Sequence, residues 1–259
     1  FSKEKTSVFT NPLVENVFEM GSIVKPLTIS AGIDRGVIKA DTKYDDKGYV
    51  LLNGKRIENH DKKVMGRVDM QAVIDNSLNT GAVFVMQKLG RENFRNYMKA
   101  FGLGEKTGID LPSETRGLVA NLDSKYELDY ATASFGQGLA LTPIGAARAL
   151  SALANGGLIV RPRIVDRIEG SMGITKVIEA KVDRMVISPK TAEEITRMLV
   201  HAFEKGLLGG KYKIKQYSVA AKTGTAQMPD GNGGYSDKTL HSFFGYFPAY
   251  DPKFIVFLY

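Results

Sequence analysis

The chain has no cysteine, no tryptophan and only three histidines among its 259 residues. Without cysteine there can be no disulfide, no thiol nucleophile and no thiolate-ligated metal. The histidines, His60, His201 and His241, stand at none of the spacings that hold a metal, so we expect neither a metal nor another cofactor. No G-x-S-x-G segment is present either, which disfavours a Ser-His-Asp hydrolase.

Long apolar runs are also missing. No stretch of 18 or more apolar residues occurs, so the sequence predicts no membrane-spanning helix. The opening FSKEKTSVFT has neither the basic start nor the apolar stretch of a signal peptide, although a longer parent could carry an anchor that these residues lack. Hydrophobic residues make up 43% and charged residues 24%, which is ordinary for a globular protein and argues against disorder.

Acidic residues are outnumbered by basic ones, giving a net charge of +7. Such a balance suits a polyanionic neighbour, for which nucleic acid, an anionic cell-wall polymer and a membrane surface are all candidates. The densest basic cluster is Lys211, Lys213 and Lys215. The alternation of these lysines with polar or apolar residues predicts a strand or hairpin edge rather than a DNA-reading helix. The net charge is then the only feature that supports nucleic-acid binding, and since charge alone is weak support, we expect no nucleic-acid partner.

The hydrophobic periodicity predicts an α+β protein folded as one unit, residues 1–259, with two lobes. A helical lobe is expected at about 64–155, and a sheet lobe from the flanking segments, mainly 156–259. Within them we predict a helix from Ser22 to Gly36, a hairpin at Asn53-Gly54 and a helix ending near Asn79. Further predictions are a helix opened by Pro143, a continuous strand LIVRPRIVDRIEG, and final strands in YSVAAKTGTAQM, HSFFGYFPAYDP and FIVFLY.

Ser22 and Lys25 stand three residues apart at the start of a predicted helix, so their side chains share one face. A serine hydroxyl needs a neighbouring base to act as a nucleophile. A lysine can supply that base if burial or nearby positive charge lowers its pKa. Taken alone, the pair fits a solvated helix start with a surface lysine better than a catalytic pair.

Ser77 and Asn79 lie in the segment DNSLNTG, where a helix is expected to give way to Gly81. Side chains two residues apart in a loop can point into one cleft, the serine to relay protons and the asparagine to bind amides. The alternative interpretation is a helix C-terminus with the asparagine in a left-handed conformation.

Lys222, Thr223, Gly224 and Thr225 lie inside a predicted strand. A glycine weakens a strand interior unless another group must approach the backbone closely. A lysine and two hydroxyls at such a place suit an extended substrate that carries a carboxylate. An exposed edge strand is the alternative interpretation.

Together and in this order, the three motifs resemble those of class B penicillin-binding proteins. FEMGSIVKP resembles the family's E-P-G-S-x-x-K-P segment, DNSLNTG its S-x-N loop, and AAKTGTAQ its K-T-G-T-A-Q strand. SFGQGLALTPIGAARALSALANGG and SFFGYFPAYDPKF match as well, so the likeness runs from about Asn16 to Tyr259. The full K-T-G-T-A-Q and S-x-G-Q-G-x-x-x-T-P segments favour this family over β-lactamases.

The resemblance implies a β-lactamase/transpeptidase-like fold and a serine D-Ala-D-Ala transpeptidase that cross-links peptidoglycan stem peptides and is acylated by β-lactams. Ser22 would be the nucleophile, Lys25 the base and Ser77 the proton shuttle. Asn79 would hold the substrate amide, and the backbone amides of Ser22 and Thr225 would form the oxyanion hole. Substrate binding would fall to Lys222, Thr223, Gly224 and Thr225. The parent is expected to be membrane-anchored on the extracytoplasmic face and to work with a membrane glycosyltransferase.

Two departures from the family pattern qualify these expectations. Met20 stands where the family has proline. The family's sheet has two strands before the nucleophile and a last strand and helix after the FIVFLY segment, so we expect a sheet truncated at both ends, with uncertain activity. Alternatives are a β-lactamase, a D,D-carboxypeptidase or a β-lactam-sensing domain of the same superfamily; no deacylating E-x-x-x-N segment supports a class A lactamase.

Overall fold

The computed structural model describes residues 9–170, 173–206, 214, 216–230 and 234–259. The α-helices in these ranges are α1 (Pro12–Glu15), α2 (Lys25–Asp34), α3 (Met70–Asp75), α4 (Asn79–Leu89), α5 (Arg91–Ala100), α6 (Glu127–Ala133), α7 (Pro143–Ala154) and α8 (Pro189–His201). The strands are β1 (Phe18–Glu19), β2 (Lys43–Asp46), β3 (Tyr49–Leu52), β4 (Lys55–Glu58), β5 (Gly66–Asp69), β6 (Ala140–Leu141), β7 (Leu158–Val160), β8 (Arg167–Glu169), β9 (Thr175–Val177), β10 (Val182–Met185), β11 (Ala220–Pro229), β12 (Tyr235–Phe247) and β13 (Phe254–Leu258).

The largest sheet is antiparallel and has the order β11-β12-β13. Its register pairs Lys222 with Phe244 and Ala220 with Tyr246, and both aromatic side chains are fully buried. Helix α8 packs against β11. The strands predicted for the end of the chain are therefore confirmed, whereas the strand or hairpin edge predicted at Lys211, Lys213 and Lys215 lies outside the described residues.

Helix α2 runs through the hydrophobic core, and eight of its ten residues are buried. It packs against α4, α5 and α8. The helix predicted from Ser22 to Gly36 differs at its start, because Gly21–Val24 form a 3₁₀ turn and the α-helix begins only at Lys25. Pro26 lies in the first turn of α2, where its missing N–H leaves no intrahelical bond unmade.

The helix expected to end near Asn79 is shorter than predicted. Helix α3 ends at Asp75, and Ser77 adopts a left-handed φ of 55°. The N–H of Ser77 donates to Ile74 O at 3.3 Å and the N–H of Leu78 donates to Val73 O at 3.0 Å, the bonds of a Schellman motif. Asn79 therefore starts α4 rather than ending α3.

The predicted continuous strand LIVRPRIVDRIEG is also wrong. Strand β7 pairs with β10, and β8 pairs with β9 in a separate hairpin. Pro162 lies between them and has no N–H to donate to a ladder. The N–H groups of Ile164 and Val165 donate to the carboxylate of Asp110 instead, both at 2.7 Å.

Two local predictions are confirmed. Strands β3 and β4 form a hairpin whose turn, Asn53-Gly54, has positive φ at both residues. Helix α7 begins at Pro143 behind Thr142, whose hydroxyl accepts from the N–H of Gly145 at 3.1 Å. None of the helices within the described ranges is long and apolar enough to cross a membrane.

Candidate active site

Ser22 and Lys25 are brought together by the 3₁₀ turn that leads into α2. Lys25 Nζ lies 2.9 Å from Ser22 Oγ, within hydrogen-bonding distance. Lys25 is completely buried, whereas Ser22 is only half-buried and faces a cleft. The predicted pair is thus a buried base beside an accessible hydroxyl rather than a solvated helix start.

Ser77 reaches the same place from the end of α3. Lys25 Nζ lies 2.6 Å from the backbone carbonyl of Ser77 and 3.1 Å from its Oγ. The left-handed backbone that orients this serine costs a non-glycine residue about 1 kcal/mol. The burial of Leu78, the next residue in the Schellman motif, helps to offset that cost.

Lys222 completes the group from strand β11. Its Nζ donates to Ser77 Oγ at 3.1 Å and to the carbonyl of Thr223 at 2.9 Å. We call Ser22, Lys25, Ser77 and Lys222 the cationic cluster. Both lone pairs of Ser77 Oγ are occupied when the two amines donate to it, so its own proton must face a third partner.

The pKa values in the cationic cluster are set mainly by burial. Burial, together with the positive charge of Lys222, holds the pKa of Lys25 well below its usual range. Burial lowers the pKa of Lys222 to about 8, an effect that the carboxylate of Asp75 partly opposes. This arrangement favours the neutral form of Lys25, whereas Lys222 is charged below its pKa of about 8.

Gly224 explains how β11 comes so close to the serine. A Cβ on Gly224 would lie 2.6 Å from Met20 O and would also overlap Ser242 Oγ. Ser242 Oγ donates to Met20 O at 2.8 Å, which joins the residue before the 3₁₀ turn to strand β12. The close approach predicted from a glycine inside a strand is therefore made by the backbone just before Ser22.

The cleft beside Ser22 has a volume of about 670 Å³. Thr223 and Thr225 point outward from β11 and line it, while Asn79 lines it from the start of α4. A Cβ on Gly21 would lie 2.5 Å from Thr225 O, so the backbones around Ser22 and Thr225 are adjacent. The structure thus brings all eight predicted site residues to one place.

Several polar residues near the site were not predicted from the sequence. The carboxylate of Asp75, which affects Lys222, lies 3.0 Å from His201 Nδ1. Asp46 and Asn59 are buried and bonded to Thr80, beside Asn79. The alternation of β2, which puts Tyr44 and Asp46 on its buried face, is the only sequence signal that marks this carboxylate as unusual.

The sequence is similar to one protein family and to several of its curated members. The family model described as the penicillin binding protein transpeptidase domain matches residues 2–259. Stage V sporulation protein D of Bacillus subtilis is 34% identical over 259 residues, covering 97% of this chain and 40% of that protein. Penicillin-binding protein PbpB of Mycolicibacterium smegmatis is 29% identical over 254 residues, covering 95% and 39%. The chain therefore spans about two fifths of the length of these curated relatives.

Solved structures agree with the sequence relatives. Penicillin binding protein 3 of Mycobacterium tuberculosis, complexed with aztreonam, superposes with a TM-score of 0.88 at 29% identity, covering 95% of this chain and 57% of that one. The transpeptidase domain of penicillin-binding protein 3 of Burkholderia pseudomallei gives a TM-score of 0.83 at 27% identity, covering 96% and 73%. The three motifs, the α+β fold and these matches together show that the chain belongs to the penicillin-binding protein transpeptidase family, as a class B transpeptidase domain.

Proposed function

We propose that this chain is the catalytic domain of a peptidoglycan D,D-transpeptidase that acts through an acyl-enzyme on Ser22. The observation that carries the proposal is the contact of Ser22 Oγ with a buried lysine, Lys25, whose pKa is held low. A hydroxyl beside a neutral amine is the arrangement that nucleophilic catalysis by serine requires. Relatives named peptidoglycan D,D-transpeptidase support the reaction class.

In the acylation step, Ser22 Oγ attacks the carbonyl carbon of the penultimate D-alanine of a stem peptide. The Oγ proton passes to the lone pair of Lys25 Nζ as the new C–O bond forms. Ser77 Oγ then gives its proton to the departing nitrogen and regains one from Lys25, so the peptide C–N bond breaks and D-alanine leaves. The backbone N–H groups of Ser22 and Thr225 hold the oxyanion.

Substrate orientation is assigned to the remaining residues of the cleft. The charged Lys222, with the hydroxyls of Thr223 and Thr225, binds the terminal carboxylate, and Gly224 lets the strand approach. Asn79 holds the substrate amide. In the second step an amine of another stem peptide attacks the ester carbonyl, loses its proton through the same relay and restores Ser22.

A β-lactam would follow the first step and then remain on the serine. The amide bond that breaks lies within its ring, so the leaving nitrogen stays tethered and the acyl-enzyme persists. Neighbouring structures determined with aztreonam and ampicillin support this reading for the family. We also propose that residues 1–259 form one domain with a helical and a sheet lobe, placed on the extracytoplasmic face by a membrane-anchored parent that works with a glycosyltransferase.

The test is covalent labelling with a fluorescent penicillin. We expect the wild-type chain to carry one label per molecule after denaturing electrophoresis, and Ser22→Ala to carry none. Ser7→Ala, a serine far from the motifs in sequence, is the matched control. Undiminished labelling of Ser22→Ala would show that the nucleophile is another residue.

A further inference from the structure

Asp46 is a buried carboxylate on β2 for which the described residues offer no cationic partner. It is 2% exposed, and no ion pair to it exists among the described residues. Neutral groups satisfy it instead: the N–H groups of Gly48 and Met65, both at 2.9 Å, and the Thr80 hydroxyl at 2.8 Å. The side-chain amide of Asn59 donates to both of its oxygens, at 3.0 and 3.1 Å. Burying a carboxylate without a cationic partner is costly, which points to a geometric role for Asp46.

The two backbone bonds of Asp46 close one wall of the cleft. Gly48 and Met65 stand at the two ends of an excursion that contains the β3–β4 hairpin and residues 58–63. Glu58, Asn59 and Lys63 from this excursion line the cleft that Ser22 faces. The carboxylate of Asp46 therefore anchors both ends of the excursion that forms this wall of the cleft.

The start of α4 is hydrogen-bonded to residues of the same excursion. Its N-cap residue, Leu78, has no side chain that can cap it. Asn59 Oδ1 accepts from the N–H of Thr80 at 3.1 Å instead, so a residue 21 positions away serves as the cap. The side chain of Asn79 donates to the carbonyl of Glu58 at 2.8 Å.

The orientation of this cap depends on Asp46. Asn59 Nδ2 donates to the carboxylate of Asp46 and to the carbonyl of Lys63, which leaves Oδ1 to face α4. The negative charge also lies near the positive end of the α4 dipole, which favours it. We call Asp46, Asn59 and Thr80 the anionic cluster.

We propose that Asp46 is a positioning residue, which orients Asn79 for the substrate amide by holding Asn59 and the first turn of α4. This inference rests on the proposed function, in which Asn79 binds that amide. Asp46 itself touches no substrate. Because an amide contact is made in both the ground and the transition state, its loss appears mainly as weaker binding.

The test measures acylation by a fluorescent penicillin at a series of concentrations, which separates the limiting rate from the half-saturating concentration. The informative pair is Thr80→Val, which keeps the shape but loses the hydroxyl, and Thr80→Ser, which keeps the hydroxyl. Asp46→Asn removes the charge, and Asp45→Asn on the exposed face of β2 is its matched control. Thermal midpoints are recorded for every variant.

We expect Thr80→Val and Asp46→Asn to raise the half-saturating concentration on the order of tenfold or more, with a smaller effect on the limiting rate. Thr80→Ser and Asp45→Asn are expected to resemble the wild type. Suppose that the wild type labels, and that Thr80→Val keeps both the limiting rate and the half-saturating concentration and loses only thermal stability. The role of Asp46 is then structural, and this inference fails while the proposed function stands. Equal losses in Thr80→Val and Thr80→Ser would also overturn it. A wild type that does not label overturns both this inference and the proposed function.

Discussion

The segment 77–80 lies between two buried polar clusters that are built in opposite ways. On one side, the cationic cluster places two amines against one hydroxyl, and no carboxylate of the described residues is hydrogen-bonded to either amine. On the other side, the carboxylate of the anionic cluster receives hydrogen bonds from four neutral groups. The two amines share one neutral acceptor, whereas the carboxylate is satisfied by neutral donors.

This difference shows how a single short segment can serve chemistry and architecture together. Burial lowers the pKa values of both Lys25 and Lys222, which makes these amines able to exchange protons. The carboxylate of Asp46, in contrast, is held in one position by the donors that surround it. Altering the cationic cluster should therefore affect rate, and altering the anionic cluster should affect binding and stability.

The largest effect is expected for Lys25→Met. Loss of the base should lower the acylation rate on the order of 100- to 10,000-fold. The thermal midpoint should stay at or above that of the wild type, because an apolar chain replaces a completely buried amine. Stopped-flow acylation measures the rate and thermal unfolding measures the midpoint, with Lys39→Met, a substitution of an exposed lysine, as the control. A modest loss of rate together with a clear fall in the thermal midpoint would show that Lys25 serves stability rather than rate, which contradicts the contrast between the two clusters.

Asp46→Ala should show the reverse pattern. The N–H groups of Gly48 and Met65 would lose a buried acceptor, and the free energy of unfolding should fall by about 3 kcal/mol. Asp45→Ala, one residue earlier on the exposed face of β2, should change it by less than about 0.5 kcal/mol. Denaturant unfolding of the pair measures the difference. Equal values for the two variants would contradict a stabilising role for the anionic cluster.

The pH dependence of acylation sharpens the comparison further. Lys222 must be charged to bind a carboxylate, and its pKa is about 8. The second-order acylation constant should therefore fall as pH rises through about 8, by about tenfold at pH 9. In Lys222→Arg the side chain keeps its charge, so this alkaline limb should disappear. A limb that persists near pH 8 in Lys222→Arg would assign the ionisation to another group.

The smallest effect is expected for Asp75→Asn. The carboxylate of Asp75 supports the charged form of Lys222, so its neutralisation should lower the pKa of Lys222 further. The alkaline limb should then begin below pH 8, with a loss of a few-fold at pH 8. Asp45→Asn should leave the profile unchanged. An alkaline limb that moves to higher pH in Asp75→Asn would reverse the assigned sign.

The sequence predicted the cationic cluster but not the anionic one, for a physical reason. Ser22 and Lys25 lie one helical turn apart, and motif resemblance indicated where Ser77 and Lys222 belong. Asp46 meets Thr80 from 34 residues away, and no local pattern encodes that contact. Only the buried-face position of Asp46 could have marked it.

Errors in the predicted elements arose where backbone geometry departs from periodicity. A helix was expected to reach Asn79, yet Ser77 takes a left-handed conformation usually left to glycine or asparagine, and the helix ends before it. The strand after Leu158 was expected to continue through Pro162, which cannot join a ladder. Both errors lie at positions where one residue overrides the pattern of its neighbours.

The close packing of glycines around Ser22 has a consequence for which residues these positions can carry. A Cβ on Gly136 would overlap Gly21 O, and one on Gly224 would overlap Met20 O, so both segments pass the turn at Ser22 too closely for any side chain. A side chain at position 136 or 224 would therefore have to displace the backbone that carries Ser22, and the serine hydroxyl would lose its place beside Lys25.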